Sequence, residues 1–219
     1  MHIMEGFLPV EWAAAWYVVA APFVGYGAYK TAKSMDSSRS KALLAVSAGF
    51  IFVLSALKMP SVTGSTSHPT GTGLAVVLFG PVVTSFLSAV VLLYQALLLA
   101  HGGITTLGAN VASMGVIGPF VGYGAYRLVR PRTDLKKSTF VAAVVTDWTT
   151  YVVTSLQLAV AFPSEPGVSG IIASATKFMG IFAVTQIPIG LVEGALAAAI
   201  VGYLVKAKVS VRKRMGVPA

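Results

Sequence analysis

Six long apolar stretches constrain this chain more than any other feature. They cover about 8–29, 40–58, 72–100, 107–129, 138–162 and 171–205. A helix that crosses a bilayer needs about 20 apolar residues. Only 11% of the 219 residues are charged, whereas soluble domains carry roughly 25%. The polar surface is too small to cover a globule, so the sequence predicts an all-α polytopic membrane protein, with residues 1–219 as a single transmembrane domain.

The basic residues indicate how the chain is oriented. Lys and Arg in short loops are retained on the cytoplasmic side, so we expect the N-terminus outside and the C-terminus in the cytoplasm. The net charge of +9 is then explained by topology, and no nucleic-acid partner is predicted. Fourteen of the 16 Lys and Arg residues form three clusters: Lys30, Lys33, Arg39 and Lys41; Arg127, Arg130, Arg132, Lys136 and Lys137; and Lys206, Lys208, Arg212, Lys213 and Arg214.

The stretch 72–100 joins two loops, 59–71 and 101–106, that this orientation places outside. It must therefore cross the membrane an even number of times. Gly80-Pro81 interrupts it, which predicts two short helices or a re-entrant hairpin, a structure tolerated at depth when it is buried in protein. The total becomes about seven transmembrane helices.

One segment occurs twice. Pro22–Lys30 reads PFVGYGAYK and Pro119–Arg127 reads PFVGYGAYR. Both combine small residues that allow close helix approach with tyrosines near a membrane interface. An internal duplication and local convergence on a favourable helix ending both explain the pattern.

The three histidines, His2, His68 and His101, all fall on the predicted outer side. The orientation used Lys and Arg alone, so this agreement is independent. The chain has no cysteine, which excludes thiolate ligands, and imidazole suits Ni, Cu, Co and Zn. The pattern suggests a nitrogen-ligated metal site, and a simple collection of polar residues in outer loops is the alternative.

His2 gives this site a specific geometry. With a free Met1 before it, His2 completes a chelate of three nitrogens: the Met1 α-amine, the deprotonated His2 amide and the His2 ring Nδ1. The planar peptide holds them near one plane, which suits square-planar Ni(II), Cu(II) or low-spin Co(II) better than tetrahedral Zn(II). A retained initiator methionine and a cleaved leader would both supply the amine. We expect residues 1–9 to form a chelating segment and His68, in the outer loop 59–73, to supply the fourth nitrogen.

Other polar residues are expected to support the ligands. His101 and Asn110 lie in a loop that could hydrogen-bond and orient a ligand imidazole, with direct ligation by His101 as an alternative. Glu5 is close enough in sequence to accept from His2, or it is a solvated carboxylate. Three ionisable residues lie in apolar stretches, where they are costly and serve function, helix packing or partner contacts: Asp147, Lys177 and Glu193.

Three segments together carry a family resemblance. Met1–Pro9 reads MHIMEGFLP, Ser67–Leu74 reads SHPTGTGL, and Gln95–Asn110 reads QALLLAHGGITTLGAN. They resemble the N-terminus, the second ligand loop and the central segment of the CbiM/NikM family, the substrate-binding (S) components of energy-coupling-factor (ECF) cobalt and nickel transporters. Asp147-Trp148 and Gln186-Ile187-Pro188 also fit, so the resemblance covers nearly the whole chain.

The resemblance implies a subunit that captures Ni²⁺ or Co²⁺ at the outer face of a prokaryotic plasma membrane. It implies seven spans and a planar site of the Met1 amine, the His2 amide and ring nitrogens, and the His68 ring. Its implied partners are a transmembrane coupling subunit, cytoplasmic ATPase subunits and often a small accessory membrane protein. The chain has no GxxxxGK[ST] motif, so ATP hydrolysis would belong to the partners and no enzyme is predicted. The segment Met4-Glu5-Gly6 resembles the cobalt branch of the family more than the nickel branch.

Rival functions fit the sequence less well. A stand-alone secondary permease or channel for divalent metals needs a polar path through the membrane, and few ionisable groups lie within the spans. An intramembrane enzyme needs a nucleophile and a base at depth, and the histidines are all in outer segments. A structural membrane subunit without a ligand is the remaining alternative.

Overall fold

The computed structural model describes residues 1–34, 37–61 and 64–207, and it is largely helical. All six apolar stretches form helices, with boundaries a few residues from those predicted, so the all-α membrane fold is confirmed. The helices are α1 (Val10–Ser34), α2 (Ser38–Ala56), α3 (Thr72–Phe79), α4 (Pro81–Leu99), α5 (Leu107–Asn110), α6 (Gly118–Val129), α7 (Leu135–Ala161) and α8 (Val168–Lys206). Among the described residues, α2, α4 and α8 are the helices both long and apolar enough to cross a membrane by themselves.

Helices α5 and α6 form one continuous rod. The π-helical segment Val111–Ile117 joins them without a break. Such segments are rare in proteins, and those that occur often lie at functional sites. Here the π-helical segment starts directly after Asn110, a residue predicted to support the metal site.

The break at Gly80 is where predicted, but its two helices are unequal. At 1.5 Å per residue, the eight residues of α3 span about 12 Å and the 19 residues of α4 about 28 Å. Only α3 is short, therefore, and α4 is long enough to cross a membrane by itself. The chain just before Thr72 is non-helical and buried.

The described members of the three basic clusters gather at one end of the bundle. Lys30 lines the same cavity as Gly80 and Tyr123, and Lys136 and Lys206 line another. The three basic clusters therefore share one side, as the orientation argument requires, and the assignment of that side to the cytoplasm stays a prediction. Four members of the third cluster lie outside the described residues: Lys208, Arg212, Lys213 and Arg214.

A small antiparallel sheet at the other end was not predicted. Its strands are β1 (His2–Ile3), β2 (Met59–Pro60) and β3 (Ser65–Ser67), in the order β1-β3-β2. His2 pairs with Thr66 and Ile3 with Ser65. Strands of two or three residues are too short to show the alternation that reveals a strand in sequence, so only the folded chain shows the pairing.

The N-terminal segment belongs to the core of the bundle. Met1 and Ile3 are completely buried, and they pack with Leu8 against Leu158 of α7 and Phe182 of α8. The first residues of most domains are poorly ordered unless something holds them. Here burial of apolar side chains holds the segment in place.

The repeated segment packs differently in its two copies. In α1, a Cβ on Gly27 would lie 2.5 Å from the Val82 carbonyl oxygen of α4, and one on Gly25 would meet nothing within 4 Å. In α6 the pattern is reversed: a Cβ on Gly122 would lie 2.9 Å from the Ala142 carbonyl oxygen of α7, and Gly124 is open. Gly25 corresponds to Gly122 in the repeat. The copies thus use non-equivalent glycines, which favours local convergence over duplication.

This difference predicts opposite outcomes for two substitutions in α1. Gly27→Ala should destabilise the protein by about 1–3 kcal/mol, the usual cost of overpacking, because the new methyl group overlaps the backbone of α4. Gly25→Ala is the matched control and should be neutral or slightly stabilising. Thermal unfolding in detergent measures both. Equal melting temperatures for the two variants would contradict the close packing of α1 on α4.

Candidate metal site

The three histidine rings meet at the end of the bundle that carries the small sheet. One ligand atom from each ring lies within 4.8 Å of the other two. The rings of His2 and His68 stack with centroids 4.3 Å apart. His101 packs edge-on against His2 at 4.3 Å and against His68 at 5.0 Å. All three side chains are buried, so residues distant in sequence form one cluster.

Backbone contacts on both sides fix the position of His2. On one side, β1 pairs with β3, and the N–H of Met4 donates to the Gly64 carbonyl at 2.9 Å. On the other side, the side-chain amide of Asn110 makes the hydrogen bonds that a neighbouring strand would make. Its Oδ1 accepts from the Ile3 N–H at 2.8 Å, and its Nδ2 donates to the Ile3 carbonyl at 3.0 Å. Asn110 therefore holds the backbone directly after His2 in place.

The loop after β3 presents His68. The His68 Nδ1 donates to the carbonyl of the next residue, Pro69, at 2.8 Å. This bond uses the proton of the neutral ring and leaves Nε2 as the nitrogen with a free lone pair. The next residues, Thr70 and Gly71, donate hydrogen bonds to the Glu193 carboxylate of α8.

Several buried nitrogens in this cluster have no hydrogen-bond partner among the described residues. They are both ring nitrogens of His2, both of His101, and the Nε2 of His68. Buried polar groups in proteins are normally paired, and an exception calls for an explanation such as an ion. Unpaired imidazole nitrogens that converge within 4.8 Å are a suitable donor set for a transition metal.

Burial keeps these donors neutral. It lowers the pKa of the Met1 α-amine from 8.0 to about 5, although the charges of Asp147 and Glu193 act in the opposite direction. Burial, followed by the charge of the amine and of Lys58, lowers the pKa of His101 from 6.5 to about 4. The pKa values of His2 and His68 are also held well below 6.5, mainly by burial. At neutral pH all four groups therefore offer lone pairs without first losing a proton.

The structure corrects the expectation for Glu5. Its carboxylate accepts from the Thr105 N–H at 3.2 Å, and both ring nitrogens of His2 lack a partner, so Glu5 does not accept from His2. The N–H of Glu5 donates to the Gly102 carbonyl at 3.1 Å. Glu5 instead ties the N-terminal segment to the loop that follows His101.

The intramembrane ionisable residues separate into different roles. Glu193 binds the His68 loop, a function that its position in an apolar stretch did not reveal. Asp147 is buried in α7, and neither of its oxygens has a hydrogen-bond partner among the described residues. It lies against Gly190 of α8. Lys177 is exposed on α8 and takes no part in the site.

The lowered pKa of His101 predicts a pH-dependent contribution to stability. Between about pH 6.5 and pH 4 the unfolded chain protonates His101 and the folded chain does not, so this residue's contribution falls as the pH falls. The metal-free wild type should therefore lose stability relative to His101→Gln over that range. Titrating groups other than His2 and His68, whose pKa values the charge of His101 also lowers, cancel in this comparison. Paired melting curves in detergent measure the difference. A constant difference from pH 7 to pH 4 would contradict a neutral, buried His101.

Comparison with known proteins agrees with this architecture. The chain matches solved structures of a transition metal transporter and of its truncated form, each with a TM-score of 0.81. Sequence identity to the truncated form is 28%, over 94% of this chain and 99% of that one. Sequence relatives are closer. A CbiM protein of Halobacterium salinarum is 64% identical over the full length of both chains. The cobalt transport protein CbiM of Moorella thermoacetica is 55% identical over 93% of this chain and 79% of the relative.

A family model described as the cobalt uptake substrate-specific transmembrane region, CbiM, matches residues 2–211. The match spans both ligand-bearing segments and every helix described above. It assigns the chain to transport and not to an enzyme class. On the strength of this match and of its relatives, the chain belongs to the CbiM family, the substrate-specific transmembrane components of cobalt uptake systems.

Proposed function

We propose that this protein captures Co²⁺ or Ni²⁺ in a square-planar site of four nitrogens. The donors are the Met1 α-amine, the amide and ring Nδ1 of His2, and the Nε2 of His68. The observation that supports this most is the group of buried, unpaired imidazole nitrogens next to a completely buried N-terminal residue. Residues 1–9 are then the chelating segment, and the loop 59–73 closes the plane.

The pairing of β1 bears on the amide ligand. Neighbouring residues of an antiparallel strand turn their backbone groups to opposite sides. Because both backbone groups of Ile3 bond Asn110, the amide nitrogen of His2 faces β3, the strand that leads to His68. Coordination of this nitrogen would take the place of a hydrogen bond to β3.

His101 offers a different ligand set. Its ring is as close to His2 as that of His68, so three imidazoles could form a conventional site of the kind that binds Zn²⁺. The planar chelate is preferred because His2 follows a free, buried amine that is neutral at physiological pH. In the planar site, His101 packs beside the chelate and shields it from water.

We also propose that the metal enters from outside the cell. The site lies at the end of the bundle opposite the described members of the three basic clusters, which are expected in the cytoplasm. As an S component of an ECF-type importer, the protein would deliver the metal inward together with a transmembrane coupling subunit, cytoplasmic ATPases and, in many systems, a small accessory subunit. The relatives named for cobalt transport support cobalt, and a planar nitrogen site suits nickel equally.

Metal titration separates the two ligand sets. We expect tight one-to-one binding of Ni²⁺ and Co²⁺, weak binding of Zn²⁺, and a loss of affinity of about 100-fold or more in His2→Ala and in His68→Ala. His101→Ala should have a much smaller effect. Isothermal titration of the wild type and of the three variants, each with a C-terminal tag, measures these affinities. Tight Zn²⁺ binding that depends equally on His101 would instead establish the three-imidazole site.

A blocked N-terminus tests the amine ligand directly. Adding four glycines before Met1 turns the amine into an amide and moves the new amine too far from His2 to close the chelate, so one donor is lost and nickel affinity should fall by about 100-fold or more. The same four glycines added after Ala219 are the control and should leave affinity unchanged. A melting curve of each protein checks that it is folded. Unchanged nickel binding by a folded, N-terminally extended protein would rule out the chelate.

A further inference from the structure

The short segment from His68 to Gly71 connects the metal site to α3. His68, Thr70 and Gly71 are buried, and the segment has no helix or strand of its own. Buried backbone N–H groups outside regular structure need partners from elsewhere. For the N–H groups of Thr70 and Gly71, that partner is a single side chain on α8.

Glu193 of α8 accepts three hydrogen bonds from the segment. Its Oε2 accepts from the Thr70 N–H at 2.5 Å, and its Oε1 accepts from the Thr70 hydroxyl and the Gly71 N–H at 2.9 Å each. An ionised carboxylate only accepts, and hydrogen bonds to it are roughly twice as strong as neutral ones. These bonds offset the cost of placing Glu193, 1% exposed, inside the bundle.

The peptide unit between Pro69 and Thr70 links Glu193 to the histidine. Its carbonyl accepts from the His68 Nδ1 at 2.8 Å, and its N–H donates to Glu193. A peptide unit is planar, so its N–H and C=O cannot turn independently. The carboxylate that holds the N–H therefore also aims the carbonyl that holds the imidazole.

We propose that Glu193 is a positioning residue for metal binding that acts on His68 through the Pro69–Thr70 peptide. It keeps the His68 proton on Nδ1 and turns Nε2 toward the other donors. The carboxylate also polarises the peptide, because successive hydrogen bonds strengthen one another, and this makes Nε2 a better donor. Metal-ligating histidines commonly donate to a carboxylate or carbonyl directly, whereas here one peptide unit lies between them. The inference rests on the proposed function, since it takes His68 as a ligand.

Glu193→Gln weakens this relay in either orientation of its amide. With its oxygen facing Thr70 Oγ1 and Gly71, its NH₂ group opposes the Thr70 N–H, and the bond of the relay is lost. With the amide turned over, a neutral oxygen accepts from the Thr70 N–H, the Gly71 N–H loses its acceptor, and the Thr70 hydroxyl must accept instead of donating. We expect nickel affinity to fall by about 10- to 100-fold. Glu165→Gln, at an exposed turn, is the matched control and should bind nickel as the wild type does.

A double-variant cycle distinguishes positioning of His68 from a general structural role. If Glu193 acts through His68, then Glu193→Gln should change nickel affinity less than about two-fold in a His68→Ala background. The same loss in both backgrounds, or wild-type affinity of the single variant, would overturn the inference. A His68→Ala variant that binds nickel as tightly as the wild type would instead overturn the proposed function.

A measurement on the metal-free wild type does not depend on how the variants fold. Nitrogen-15 NMR of histidine-labelled protein in detergent, with His68→Ala used for assignment, reports the tautomer of His68. The expected result is a proton on Nδ1 and none on Nε2 at pH 7. A His68 ring protonated on Nε2 would overturn the inference even if Glu193→Gln cannot be purified.

Discussion

The burial of the N-terminal segment is the constraint on which the rest of this structure depends. Met1 and Ile3 are completely buried against α7 and α8, and Asn110 and β3 hold the backbone between them. An ammonium group is costly to bury, so the amine is favoured in its neutral form. The same burial that anchors the chain therefore leaves the amine with a free lone pair, which the proposed chelate requires.

The broken helix pair brings the second half of the site to the first. Because α3 is only eight residues long, the chain before it must enter the bundle as non-helical backbone. Such backbone is tolerated in a membrane protein when protein surrounds it and satisfies its polar groups. Glu193 accepts the hydrogen bonds that Thr70 and Gly71 donate. The short α3 thus leaves buried backbone before it, and the carboxylate on α8 pairs with that backbone.

Much of this architecture could be read from the sequence because membrane insertion imposes simple rules. Apolar length indicated the helices, and the distribution of Lys and Arg placed the basic residues at one end of the bundle and the three histidines at the other. The Gly80-Pro81 pair marked the break. The sequence did not reveal the small sheet, the partner of Glu5 or the task of Glu193, since each depends on contacts between residues about 60 to 120 positions apart.

The sequence by itself determined the class of the protein and its family, and it suggested the donors of the proposed chelate, because a His directly after an N-terminal Met can form that chelate within a single dipeptide. Only the tertiary structure decided how those donors meet. It placed His68 and His101 beside His2, made the amine neutral by burial, and assigned the orientation of His68 to a peptide held by Glu193. These properties depend on desolvation and on hydrogen bonds between distant segments, which are created when the helices pack.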